Sequence, residues 1–311
     1  MGYEKVERRL QDGGVVILDG GTGTELERRG VSMDPKAWCG PASIDNVPLL
    51  EDIHRDYIVA GADIVTVNTY ASSRLMLEPA AFADQFEEIN CAAIRAALRA
   101  REVSGHNDVL VAGSLSHMRP IVRDFGELEP LPEPSEAEMA KAFGELAMLM
   151  RDEGCDLIIL EMMYVPERAN IAFTAALETG LPVWAGFSAR RGDDGQLLSY
   201  MHEQDVPFDE LVHVLSNFEV AAAGVMHTPA DLIGEAIEVL RDVFDGPVMA
   251  YPDSGHFIMP QWQFENVMAP EDLLKFATQW VESGVHIIGG CCGLSPEHIA
   301  ALEPLKARYP T

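Results

Sequence analysis

Eight short β-branched, apolar runs punctuate this chain at near-regular intervals, and helix-like stretches fill the gaps between them. The runs cover residues 15–19, 63–69, 109–114, 157–162, 183–188, 221–227, 248–252 and 286–292. The intervening stretches, 50–60, 80–102, 135–153, 167–178, 207–216, 229–243, 270–283 and 296–307, carry helical periodicity. Several of them open with proline in the first turn and acids just behind it. Ala269-Pro270-Glu271-Asp272 is one case, and Leu294-Ser295-Pro296-Glu297, with Ser295 as N-cap, is another. Strands alternating with helices imply parallel βαβ units. Eight such units in 311 residues is the arithmetic of an α/β chain folded as a single (β/α)8 TIM barrel spanning 1–311, with a doubly wound open sheet as the alternative. No internal repeat or linker divides the chain, and the proline-rich patch 129–134 reads as a loop before a helix.

A barrel of this kind builds its active site at the C-terminal ends of its strands. Those ends are rich in reactive side chains here. The first run ends in Asp19-Gly20-Gly21-Thr22-Gly23-Thr24, the second in Asn68-Thr69-Tyr70 and the third in Gly113-Ser114. The fourth ends near Glu161, the sixth in Met226-His227-Thr228 and the seventh in Tyr251-Pro252-Asp253. The eighth closes on Gly289-Gly290-Cys291-Cys292-Gly293. In a regular strand neighbouring side chains point apart. The glycines let the backbone leave strand geometry, so that Cys291 and Cys292 can act together as thiolate ligands, a donor set that suits Zn²⁺ better than a hard cation. The alternative is two buried cysteines filling space as small hydrophobes.

Charge narrows the function classes. Against 22 basic residues stand 50 acidic ones, a net charge of −28. So acidic a chain is a poor partner for nucleic acid or anionic membrane surfaces. It has no apolar run long enough for a membrane span, and residues 1–14 are charged, unlike a signal peptide. Five cysteines, an odd number in a long chain, argue against a disulfide framework and for a reducing cytoplasm. The oligomeric state is left open.

The set Asp19-Gly20-Gly21-Thr22-Gly23-Thr24, Gly61-Ala62-Asp63 with Asn68-Thr69, Gly113-Ser114, Glu161, Tyr251-Pro252 and Gly289-Gly290-Cys291-Cys292-Gly293 resembles the homocysteine S-methyltransferase family from the first unit to the last. The resemblance implies a zinc-dependent thiol methyltransferase on a (β/α)8 barrel, moving a methyl group from an onium donor to homocysteine or its selenium analogue. Donors in that family include S-methylmethionine, S-adenosylmethionine and betaine, and the short stretch after the last helix resembles the members that use sulfonium donors. Three cysteines hold the zinc in the family. Two would be Cys291 and Cys292; the third belongs to an Asn-Cys-Thr stretch that reads Met226-His227-Thr228 here, which makes His227 the third ligand. The family's Tyr-Pro-Asn appears as Tyr251-Pro252-Asp253.

By the same resemblance, Asp19 and Glu161 would bind the substrate ammonium and the amides of Gly20 and Gly21 its carboxylate, near a helix start. Asn68 and Thr69 would orient the substrates or fix a neighbouring loop, and Tyr251 would complete the substrate site. An onium donor favours aromatic faces, for which Trp38, Tyr70, Trp184, Phe187, Tyr251 and Trp262 are candidates. Met162, Met163 and Met226 read as gap-fillers, and Cys39, Cys91 and Cys155 as structural. The partners implied are a small-molecule thiol and a methyl donor. Competing readings are a related methyltransferase with another acceptor or donor, and a barrel that binds an amino acid without catalysis. A zinc hydrolase fits less well, since no His-x-His occurs.

Overall fold

The computed structural model describes residues 2–120, 122–124, 127–129, 132–258 and 260–309. Its eight barrel strands are β1 (Val16–Ile17), β2 (Ile64–Thr66), β3 (Leu110–Leu115), β4 (Leu157–Met163), β5 (Val183–Phe187), β6 (Ala222–Pro229), β7 (Val248–Asp253) and β8 (Ile287–Ile288). They form one sheet in the order β1-β8-β7-β6-β5-β4-β3-β2, every pairing parallel. A parallel bridge between Leu18 and Ile64 brings β1 against β2 and closes the ring. The (β/α)8 barrel expected from the sequence is therefore the fold, and the open sheet is excluded.

Period-two alternation splits the apolar residues into two cores. Val16, Leu18, Ile64, Leu110, Leu157, Ile159, Met249 and Ile287 fill the barrel interior. Ile17, Val65, Val111, Ile158, Leu160, Val225, Ala250 and Ile288 face the surrounding helices. The short runs are near-continuously apolar because both faces are buried.

The helices follow the expected order with shifted edges. The second stretch begins with a 3-10 turn, Ala83–Gln85, before the helix Phe86–Ser104, and the fifth splits into Phe208–Val212 and a 3-10 turn, His213–Asn217. Ser295 caps Pro296–Arg308 as expected, in a capping box closed by His298. Of the patch 129–134, residues 130 and 131 lie outside the described residues; 132–134 have no regular structure. An amphipathic helix, Tyr3–Gln11, was not expected in the charged N-terminus. It buries Val6 and Leu10 in the interior cluster, and its Tyr3 hydroxyl accepts a hydrogen bond from Trp184 Nε1 at 2.9 Å. Trp184, near the start of β5, is thereby tied to that helix and lies away from the mouth, while Phe187 stacks on Phe173 in the outer layer. Neither serves as a donor-facing aromatic, because strand register, not type, decides where a ring points.

Among the described residues three antiparallel strand pairs, also unforeseen, follow odd-numbered strands on the mouth side: 122–124 with 127–129 after β3, 189–191 with 197–199 after β5 and 256–258 with 261–263 after β7. Among the described residues no helix is long and apolar enough to cross a membrane.

One buried side chain makes the fold acid-sensitive. His54, on the helix Val47–Val59, has no hydrogen-bond partner for either ring nitrogen among the described residues. Burial holds it neutral, its pKa lowered from 6.5 to about 3. Below the unfolded-state pKa the unfolded chain takes up a proton that the folded chain refuses, so stability falls as pH falls through this window. At pH 5 this one group costs about 2 kcal/mol. In urea melts at about pH 7.5 and about pH 5, His54→Leu is expected to shrink the difference in unfolding free energy by about that amount. The same pH dependence in both proteins contradicts it.

Candidate metal centre and substrate cavity

β8 ends at Ile288, and the chain turns through Gly289 and Gly290 into the cysteine pair. The turn is anchored on both neighbours. Cys291 N donates to Pro252 O at 2.6 Å, Gly290 N to Asp19 O at 3.2 Å, and Cys292 O accepts from Ser254 N at 2.9 Å. Gly293 is obligatory: its φ is +80°, and a Cβ there would lie 1.9 Å from the Ser254 carbonyl oxygen. Freed from strand alternation, both sulfurs face the interior, 3.9 Å apart and unbonded.

His227 reaches them through a bulge. Met226 pairs with Tyr251 and Pro229 with Asp253, so three steps along β6 match two along β7. His227 takes up the extra residue with a left-handed φ of +48°. By alternation the residue after inward-facing Met226 would face the helices; the bulge turns it into the mouth instead. β4 repeats the device. Leu160 pairs with Ala185 and Met163 with Phe187, and Met162 has φ +58°. Left-handed backbone at non-glycine residues is costly and concentrates at functional sites.

The His227 Nδ1 lies 3.5 Å from Cys291 Sγ, and one ligand atom from each of His227, Cys291 and Cys292 falls within 4.8 Å of the others. Bonds of about 2.3 Å to sulfur and about 2.0–2.1 Å to nitrogen at tetrahedral angles place S···S at about 3.8 Å and S···N at about 3.5 Å. The observed 3.9 Å and 3.5 Å match those edges. The hydrogen bond that Cys291 donates to Cys292 Sγ, together with burial, pushes the Cys291 thiol well above its usual pKa. Burial pulls His227 down, but Cys291, Asp253 and Glu161 outweigh it and lift the imidazole to about 9. A cation between these groups would offset the burial and the mutual repulsion that keep the thiols protonated.

Two chambers meet at this cluster. The polar one is lined by Gly20, Gly21, Asn68, Glu161 and Tyr251 together with His227, Cys291 and Cys292. Glu161 accepts a short hydrogen bond from the Ser114 hydroxyl, and its other oxygen is 4.0 Å from Cys291 Sγ. Burial raises its pKa. Gly21 N already donates to Leu294 O at 3.1 Å, so a bound carboxylate would have to compete for it. Asn68 donates to Cys39 O and Ser43 Oγ, each at 3.0 Å, and so pins the loop that carries Trp38.

Asp19 and Thr69 stand behind the wall. Asp19 is wholly buried, accepting from Thr66 N at 2.6 Å, Thr66 Oγ1 at 3.0 Å and Tyr251 OH at 3.2 Å. Burial raises its pKa to about 8 against those donors. Thr69 Oγ1 donates to Ser114 O at 2.7 Å and accepts from Ser114 N, joining the ends of β2 and β3.

The second chamber is aromatic. Trp38, Tyr70, Tyr164, Tyr200, Phe257 and Trp262 line it with Met118, Arg119 and Met162, and it shares Trp38, Tyr70, His227 and Cys292 with the first. Trp38 meets Tyr70 and Phe257 edge-on, with ring centroids 6.1 and 5.8 Å apart. His227 is flanked by Tyr200 at 5.5 Å and Trp262 at 6.1 Å. Sequence reasoning found Trp38, Tyr70 and Trp262 but missed Tyr164, Tyr200 and Phe257. Phe257 and Trp262 sit on the hairpin after β7, and Tyr200 just beyond the one after β5. It also set Cys39 aside as structural, whereas Cys39 lines the polar chamber and its thiol donates to Asn68 Oδ1 at 3.2 Å.

Residues 16–305 match the family model described as homocysteine S-methyltransferase. The chain belongs to the homocysteine S-methyltransferase family. Curated relatives agree along nearly the full length. Homocysteine S-methyltransferase 3 of Zea mays is 27% identical over 97% of this chain and 94% of its own. Homocysteine S-methyltransferase of Escherichia coli K12 is 28% identical over 93% and 94%. The selenocysteine Se-methyltransferase of Brassica oleracea var. italica is 25% identical over 97% and 91%. Among solved structures, the metallated form of the Escherichia coli homocysteine methyltransferase MmuM superposes with a TM-score of 0.73 at 23% identity, covering 95% of this chain and 96% of that one, which supports the barrel. As a family member the chain is a methyltransferase. Of the three positions where it departs from the motifs of the resemblance, Met226, His227 and Asp253, the last two lie close, with Nδ1 and Oδ2 3.8 Å apart.

Proposed function

We propose that this chain, acting as one barrel over residues 1–311, moves a methyl group from a small onium donor to the thiol of homocysteine at a zinc site held by His227, Cys291 and Cys292. The observation that carries this reading is the convergence of those three side chains where a polar and an aromatic chamber meet. A His/Cys/Cys set keeps one tetrahedral position open for substrate, as catalytic zinc sites do. When bound, the zinc supplies Lewis acidity that lets a substrate thiol ionise at neutral pH.

The remaining work falls to the chain's own groups. Glu161, partly buried and 4.0 Å from Cys291 Sγ, binds the acceptor's ammonium. Its carboxylate lies toward the Gly20–Gly21 turn, where the Gly20 amide is the better donor because Gly21 is engaged. Asp19 and Thr69 act from behind the wall, Asp19 by holding Tyr251 and Thr66, and Thr69 by holding the end of β3. In the aromatic chamber the π faces stabilise the donor's positive charge and keep water out. The acceptor's thiol gives up its proton to solvent as it binds, its sulfur forms a bond to the methyl carbon, and the onium atom leaves with the bonding pair as a neutral sulfide or amine. The adjoining chambers bring the two substrates together at the cluster, where the sulfur can approach the methyl carbon.

All five cysteines are unpaired in the structure, which supports a reducing compartment such as the cytoplasm. The test is direct. Zinc-loaded protein is incubated with homocysteine and, in separate reactions, S-methylmethionine, S-adenosylmethionine and betaine, and methionine is quantified by mass spectrometry. Methionine from at least one donor is expected. None from any of them, with zinc bound, contradicts the reading.

A further inference from the structure

Asp253 ends β7 two residues beyond Tyr251, whose ring faces the barrel interior, so strand alternation carries both to the same face. Its Oδ2 lies 3.8 Å from the His227 nitrogen that also faces Cys291 Sγ. Both side chains are largely buried, 12% and 14% exposed. The bulge that aims His227 inward also sets this approach, because it places Pro229, not Thr228, opposite Asp253.

We propose that Asp253 is a positioning residue of the metal site, supplying beside His227 the negative charge that two thiolates and a neutral imidazole lack. The inference rests on the zinc reading above. A divalent cation with two thiolates and an imidazole is neutral as a unit; a third thiolate would make it −1, and the Asp253 carboxylate restores that charge from outside the ligand set. Buried charges this close are weakly screened, so the carboxylate favours the cation beside the imidazole. Glu161, the other carboxylate near the cluster, approaches Cys291 and is held by Ser114. It faces the polar chamber and leaves the imidazole side to Asp253.

A double-mutant cycle tests this. Zn²⁺ affinity is measured by competition with a chromophoric chelator for the wild type, Asp253→Asn, His227→Cys and the double variant. Asp253→Asn is expected to weaken binding about 10–100-fold in the wild-type background, the usual cost of losing a group behind a metal ligand. In the His227→Cys background it changes affinity by no more than about twofold, because the third thiolate already carries the charge. Asp253→Glu keeps the charge and recovers most of the affinity, and thermal melts of the metal-free proteins check folding. Equal affinity in the wild type and Asp253→Asn, or the same loss in both backgrounds, overturns the proposal. A wild type that binds no Zn²⁺ is a different result and removes the zinc reading itself.

Discussion

Cys291→Ser is expected to abolish metal binding and methyl transfer while the barrel stays folded. Cys291 Sγ stands at the centre of the site, 3.5 Å from His227 Nδ1, 3.9 Å from Cys292 Sγ and 4.0 Å from Glu161 Oε1. A serine hydroxyl in that place is neither a thiolate nor a soft ligand. Groups one layer behind a metal cost about 10–100-fold in affinity when removed, and a ligand costs more. The backbone contacts of the turn, to Pro252 O and from Leu294 N, do not involve the sulfur and survive the change. Metal content by mass spectrometry, methionine formation and a thermal melt of the metal-free protein are the readouts. Full metal occupancy and turnover in the variant contradict the assignment.

Glu161→Gln is expected to separate stability from activity. The residue is partly buried, and loss of solvent raises its carboxylate's pKa against the Ser114 hydroxyl and His227. An acid whose folded-state pKa lies above its unfolded value of 4.5 costs stability above that pH, a cost that vanishes as pH falls. At neutral pH the substrate-free variant therefore melts higher than the wild type. Catalysis moves the other way, because the ammonium loses its counter-charge. Removing one partner of a buried ion pair costs about 2–5 kcal/mol, or roughly 30–4000-fold in kcat/KM for homocysteine. Zinc content is unchanged. Unaltered kcat/KM would take the ammonium away from Glu161, and a lower Tm in the substrate-free protein would show that the carboxylate stabilises the fold.

The barrel was legible because burial on both faces writes each strand as a short apolar run, and the cysteine pair because glycines around two adjacent cysteines suit little else. The aim of side chains near the strand ends was harder to read. Glu161 follows from alternation, since Ile159 faces inward two residues earlier. His227 and Met162 do not: each turns into the mouth only through a left-handed residue at a register shift, and such a shift is set by the neighbouring strand. The aromatic chamber was half-hidden for a related reason. Its Phe257 and Trp262 converge because a hairpin folds over the mouth, anchored where both carboxylate oxygens of Glu27 accept from Trp262 N at 3.0 Å. That is a contact across 235 residues, which no local pattern records. The pairing of Asp253 with His227 is legible only once β6 and β7 lie side by side.

Zinc K-edge absorption of the reduced protein, recorded with and without homocysteine, is the most direct measurement of the central claim. The expected spectrum has two sulfurs at about 2.3 Å and one imidazole nitrogen at about 2.0–2.1 Å, with a third sulfur appearing when homocysteine is added. A sulfur-free shell, or a two-sulfur shell that homocysteine leaves unchanged, contradicts it.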